Sequence, residues 1–163
     1  MTTETKPDVT TLPMTDFRVP IDAHIPESYI EHERLRLEAY RKIADASDVP
    51  TLSLVREELT DRYGPLPEVV ENLLAVATLR IELRARGIHD VINQGTYVRF
   101  SPVELPDSAA MRVGRLYPGT HIKPAVRQVL IPAPKTSRVG GSNVEGLPVL
   151  EWVRGVCSAM WPD

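Results

Sequence analysis

With 163 residues, 42% of them hydrophobic and 25% charged, the chain is long enough for one domain with a real core. A formal net charge of -3 argues against a dedicated nucleic-acid binder, which is usually clearly basic. The single cysteine, Cys157, excludes an intrachain disulfide and a multi-cysteine metal site, in keeping with a reducing cytoplasm. Charge is uneven, however: residues 1–107 hold 19 acidic and 12 basic side chains, and residues 108–163 hold 3 and 7. No stretch approaches the roughly 20 apolar residues that span a bilayer. The first residues lack the apolar core of a signal peptide, so a soluble, cytoplasmic protein is expected.

Residues 1–16, rich in Thr, Pro and Asp without an apolar period, are expected to form a disordered linker or tail. Residues 17–161 are expected to form the domain. Phe17, Val19 and Ile21 alternate as an extended segment that Pro20 confines to a sheet edge. A first helix is expected from Ser28 to about Ala46, with Leu37, Tyr40, Ile43 and Ala44 facing inward and Glu38 paired to Lys42 outside. Thr51 is placed to cap a second helix whose stripe is Leu52, Val55, Leu59 and Tyr63. Gly64 suits the left-handed residue that ends it, Pro65 blocks continuation, and Pro67 falls in the first turn of a third helix. That helix runs to about Arg86, with Val70, Leu73, Leu74, Ala77, Ile81 and Leu83 inward, and Gly87 ends it.

Beyond Gly87 the period shortens. Ile88–Ile92 and Thr96–Phe100 read as a hairpin turning at Gly95. Asp107 or Ser108 can cap a short helix to Leu116. Ala125–Ile131 reads as a strand and 132–146 as a mobile loop. Val149, Leu150, Val153, Val156, Cys157 and Met160 line a closing helix. The fold class expected is α+β: three N-terminal helices, then a small, mostly antiparallel sheet with two further helices.

Little in the chain suggests catalysis. Gly140-Gly141-Ser142 lacks the lysine of a phosphate-binding loop. His24, His32, His89 and His121 are scattered and form no ligand set, and Cys157 reads as core. Arg112, Arg115, Lys123, Arg127, Lys135 and Arg138 form a basic 112–138 segment that reads as a solvated or protein-facing patch, with phosphate contact as the alternative. The sharper feature lies on the second helix. At 100° per residue its buried stripe centres near roughly 350°, while Asp61, Leu54 and Glu58 fall at roughly 180°, 200° and 240°. An apolar side chain beside two carboxylates is a surface an arginine-bearing partner can dock on. Periodicity alone favours the plainer reading, in which Glu58 pairs with Arg62 and Asp61 is solvated.

Glu58-Leu59-Thr60-Asp61-Arg62-Tyr63-Gly64-Pro65-Leu66-Pro67 resembles the Glu-Leu-x-Asp-Arg-aromatic-Gly-x-x-Pro motif of the C-terminal domain of bacterial transcription-repair coupling factors, the Mfd family. Asp22-Ala23-His24-Ile25-Pro26, the 34–44 helix, Gly87-Ile88 and Glu151-Trp152-Val153-Arg154 are similar in order, while 132–146 matches weakly. The resemblance implies a non-catalytic, autoinhibitory domain. It would dock on a UvrB-like N-terminal module of the same protein and mask the surface that binds the excision-repair protein UvrA. By motif match, Glu58 and Asp61 would meet arginines there; Leu54 is added from the helical projection, and Gly64, Pro65, Pro67 and Gly87 have structural roles. No cofactor is expected in this fragment. ATP and Mg would belong to an upstream DNA-translocating motor that displaces stalled RNA polymerase. A DNA- or polymerase-contacting module using 112–138 is the alternative.

Overall fold

The computed structural model describes residues 17–137 and 141–161, so the expected linker at 1–16 lies outside the described residues. It contains β1 (Phe17–Arg18), α1 (Glu33–Asp45), α2 (Val49–Tyr63), α3 (Glu68–Ala85), β2 (Asp90–Gln94), β3 (Tyr97–Ser101), α4 (Asp107–Leu116), β4 (His121–Lys123), β5 (Gln128–Pro132) and α5 (Leu147–Met160). This is the expected α+β order, helices first and sheet after. Two compact units divide it. One is Asp22–Glu82; the other joins the described segment ending at Ile21 to the described residues from Leu83 onward. Among the described residues no helix is long and apolar enough to cross a membrane.

In the helical unit the apolar spacing predicts the buried faces well, and the helix ends less well. Ala39, Tyr40 and Ile43 of α1 and Leu52, Val55 and Leu59 of α2 are buried. The helix expected from Ser28 begins only at Glu33, because the Tyr29 and Ile30 N–H groups turn back onto the Pro26 carbonyl at 3.0 and 3.1 Å. His32, the residue before α1, is extended at ψ 124. Thr51 does not cap α2. Asp48 does, its carboxylate accepting from the Thr51 N–H at 2.8 Å, with Pro50 in the first turn where a missing N–H costs nothing. α3 starts one residue after Pro67, whose carbonyl accepts from Val70 and Glu71. Ile81 is only half-buried, whereas Val76 and Leu79, outside the expected stripe, are buried. More than half of the circumference of α3 is therefore apolar contact surface.

The cap at Asp48 makes a testable contribution. The Thr51 hydrogen bonds hold its carboxyl below the usual aspartate range. A depressed folded-state pKa means that the stabilisation is complete above the unfolded value and is lost as pH falls through the folded one. Asp48→Ala is expected to lower the melting temperature at neutral pH by about 2–4 °C. The difference from the parent chain should vanish in acid melts.

The second unit is a five-stranded sheet in the order β1-β2-β3-β5-β4, antiparallel except that β1 pairs parallel with β2. As Pro20 implies, β1 is an edge. Gly87, at φ 90, ends α3 by letting the Ile88 N–H return to the Leu83 carbonyl at 3.0 Å, the long bond of a Schellman cap. The hairpin forms with Gly95 at φ 64 in its two-residue turn, although its strands start at Asp90 and Tyr97 rather than Ile88 and Thr96. Neither Asp107 nor Ser108 caps α4; Pro106 occupies the cap position with no side-chain bond. The strand expected at Ala125–Ile131 begins only at Gln128, as β5, and a further strand that was not expected, β4, precedes it. β4 ends at Lys123, Pro124–Val126 form a 3-10 turn, and Arg127 adopts φ 57, ψ 45 before β5 begins. After β5, within the expected loop, Lys135 bridges Asn143, and Val144 donates to the Pro134 carbonyl at 2.9 Å. Val91, Val98, Phe100, Val129 and Ile131 form the buried face of the sheet, each no more than 1% exposed. α5 lies over that face, with Trp152 6.2 Å from the Phe100 ring and Val153, Val156 and Cys157 buried as expected.

Candidate docking face on α2

Because α2 buries Leu52, Val55 and Leu59, its opposite side must face away from the unit. Leu54 is 64% exposed there, and Asp61 is exposed two turns later. Among the described residues Asp61 has no hydrogen-bond or ion-pair partner. Glu57, exposed and four residues before Asp61, belongs to the same row. It was legible in the same projection, falling within roughly 40° of Asp61, but the family motif does not include it.

Glu58 sits differently. Its Oε2 accepts from Lys42 Nζ of α1 at 2.7 Å and lies 3.5 Å from Arg62 Nη1. The Lys42 hydrogen bond is the chief reason its carboxyl titrates below the usual glutamate range. The pairing expected between Glu38 and Lys42 is thus replaced by one between helices, and the Glu58–Arg62 pair is present as well. With its side chain 37% exposed, Glu58 forms the flank of the face toward α1. On the other flank, Arg56 of α2 pairs with Glu71 of α3 at 2.8 Å. The outcome is a ridge of apolar and unpaired acidic groups bordered by satisfied ion pairs.

The end of α2 fixes how that ridge is presented. Gly64 N–H closes the helix onto Thr60 O at 2.9 Å, with φ 92 and ψ -173. This is not the ordinary left-handed cap expected, but an extended positive-φ conformation open almost only to glycine. Tyr29 Oη donates to the carbonyls of Gly64 and Leu59 at 2.7 and 3.1 Å. Burial of that hydroxyl, chiefly, pushes its pKa up. Pro65 and Pro67 then lead directly into α3.

The other candidates are accounted for locally. Arg112 Nε donates to Ala159 O at 2.7 Å, near the end of α5, and Arg127 pairs with Glu104 at 2.9 Å. Arg115, Lys123 and Lys135 are exposed on α4, on β4 and after β5, while Arg138 and Gly140 lie outside the described residues. His24 pairs with Asp22 and His121 with Tyr97. Among the described residues no group of three His, Cys, Asp or Glu side chains could hold a metal ion.

Against this geometry, the TRCF domain family matches residues 19–112, more than half of the chain. The chain belongs to the TRCF domain family. It is 42% identical over 143 residues to the transcription-repair-coupling factor of Mycobacterium bovis, covering 87% of this chain and 12% of the relative. It is 32% identical over 88 residues to that of Haemophilus influenzae, covering 53% of this chain and 8% of the relative. The chain therefore spans about an eighth or less of the length of these relatives. A solved structure of the C-terminal domain of transcription-repair coupling factor superposes with a TM-score of 0.62, covering 88% of this chain and 92% of that one at 17% identity. At that identity the likeness shows the fold alone. The TRCF match takes in all of α1, α2 and α3, the Glu58–Pro67 motif and the β2–β3 hairpin, and stops within α4.

Proposed function

We propose that this chain is a non-catalytic regulatory domain of a transcription-repair coupling factor. Through the outer face of α2 it docks on the UvrB-like N-terminal module of the same polypeptide and masks the surface that binds UvrA. Translocation on DNA, driven by ATP and Mg, and the release of stalled RNA polymerase belong to other segments of that longer polypeptide. The observation that carries this reading is the ridge itself: Leu54 stands 64% exposed, beside an Asp61 that nothing in the described chain engages. An arginine fork supplies charge-assisted, directional bonds to such a carboxylate. Glu58 offers a second acceptor, its pairs with Lys42 and Arg62 converging on Oε2 alone. Such half-exposed pairs are individually modest and salt-sensitive, which suits a contact that must release.

The experiment is a binding titration between this domain and the separately produced N-terminal module. Glu58→Arg with Asp61→Arg should weaken binding at low salt by about tenfold or more, or about 1.4 kcal/mol. Asp61→Arg alone should account for much of the loss while leaving the bridge between α1 and α2 intact. Unchanged affinity in both variants would sink the proposed contact.

A further inference from the structure

The face of the sheet turned away from α5 carries an arrangement that docking through α2 does not use. The strand register places Arg18, Ile92, Arg99, Leu130 and His121 in one cross-strand row, running from β1 through β2, β3 and β5 to β4. Side chains two residues along a strand share its face, which adds Tyr97 beside Arg99 and Lys123 beside His121. Ile92, Tyr97, Arg99 and Leu130 are half-buried, and Arg18, His121 and Lys123 are exposed. This contrasts with the opposite side, where the strand residues Val91, Val98, Phe100, Val129 and Ile131 are fully buried.

Three features give the face a ligand preference. Cations stand at both edges and in the centre. The only carboxylate the strands place there is Asp90, at the end away from Tyr97 and within 3.4 Å of the Ser101 hydroxyl. Arg99 is seated between Ile92 and Leu130 with its Nε buried and unsatisfied, and among the described residues the side chain has no ion-pair or hydrogen-bond partner. The residue as a whole is half-buried without a protein acceptor among the described residues, and a bound anion would supply one. Tyr97 and His121 meet at a tilt of 47°, ring centres 5.4 Å apart and Tyr97 Oη 3.2 Å from His121 Nε2. Both residues share a sheet face with the cationic row. Aromatic rings beside backbone-tracking cations on an open sheet are the elements of a single-strand platform, on which bases stack while phosphates meet the charges.

We propose that this sheet face binds single-stranded nucleic acid, with Tyr97 and His121 as the stacking surface and Arg99, Arg18 and Lys123 as phosphate contacts. Of the basic side chains named in the 112–138 segment it takes only Lys123, and it does not depend on the docking reading.

Fluorescence anisotropy of a labelled oligothymidylate of about 15 nucleotides, titrated with the 163-residue chain at ~50 mM salt, tests it. Saturable binding that weakens as salt rises is expected. Tyr97→Ala and Arg99→Gln should each reduce affinity about tenfold, as should the exposed pair His121→Ala with Lys123→Gln, which spares the fold if Arg99→Gln does not. Arg115→Gln on α4 should leave it unchanged. No saturable binding would overturn the assignment. So would equal affinity for a duplex of the same length, displacement by poly-glutamate as effective as by oligothymidylate, or a Tyr97→Ala variant that binds like the parent.

Discussion

Replacing Tyr40 by alanine is expected to cost the helical unit about 3–5 kcal/mol, and replacing it by phenylalanine about 1–3 kcal/mol. The two numbers separate two jobs of one side chain. Tyr40 is 1% exposed on α1, so its ring fills space that alanine would leave empty. Its hydroxyl accepts from the Ile25 backbone N–H at 2.7 Å, fifteen residues earlier in the chain and equally buried. That N–H precedes Pro26 and lies outside any helix or strand, so the hydroxyl is its recorded partner. Phenylalanine keeps the packing and orphans the donor, which is the costly way to lose a hydrogen bond. Thermal or urea melts of the three proteins would measure both. A phenylalanine variant as stable as the parent would show that the hydroxyl contributes nothing to stability.

That pairing also shows where legibility in the sequence ends. Tyr40 belongs to an evident apolar stripe, so its burial follows from spacing, but nothing local says that its hydroxyl serves Ile25. The same limit explains Lys42. Glu38 is its natural partner at four residues, yet the packing of α1 on α2 brings Glu58 to 2.7 Å, and a contact between helices is invisible to a period. The joint from Gly64 to Pro67 was legible because glycine and proline act on their own backbone. β4 was not, because three residues ending at a proline carry too little alternation to register as a strand. The cationic sheet face is the extreme case. Arg18, Arg99 and His121 are separated by most of the chain and share a face only through the pairing of five strands.

Glu58 therefore has two possible loyalties, and they are not equivalent. As a bridge to Lys42 it fastens α1 to α2, and any charge reversal there places a third cation beside Lys42 and Arg62. As a docking group it needs only a free acceptor. Asp61, Glu57 and Leu54 carry no such internal duty. The ridge they form is the part of the face whose alteration reports on a partner rather than on the domain's own packing.

Gly64→Ala is expected to cost about 1–3 kcal/mol through the backbone alone. A methyl group at this position would meet nothing within 4 Å, so no clash contributes. The penalty comes from φ 92 combined with ψ -173, a conformation an L side chain resists. Relief of that strain would shift the carbonyl that accepts from Tyr29 at 2.7 Å, and with it the turn into α3. Leu54 and Asp61 lie earlier on α2 and keep their helical backbone. The variant should consequently melt earlier, yet bind the N-terminal module with nearly the parent's affinity at temperatures where it is folded. Asp61→Arg should behave oppositely, with stability close to the parent's and docking weakened. If Gly64→Ala instead abolished docking while the domain remained folded, the angle at which α2 is presented would matter more than the charges on it, and the joint would join the docking face as a functional element.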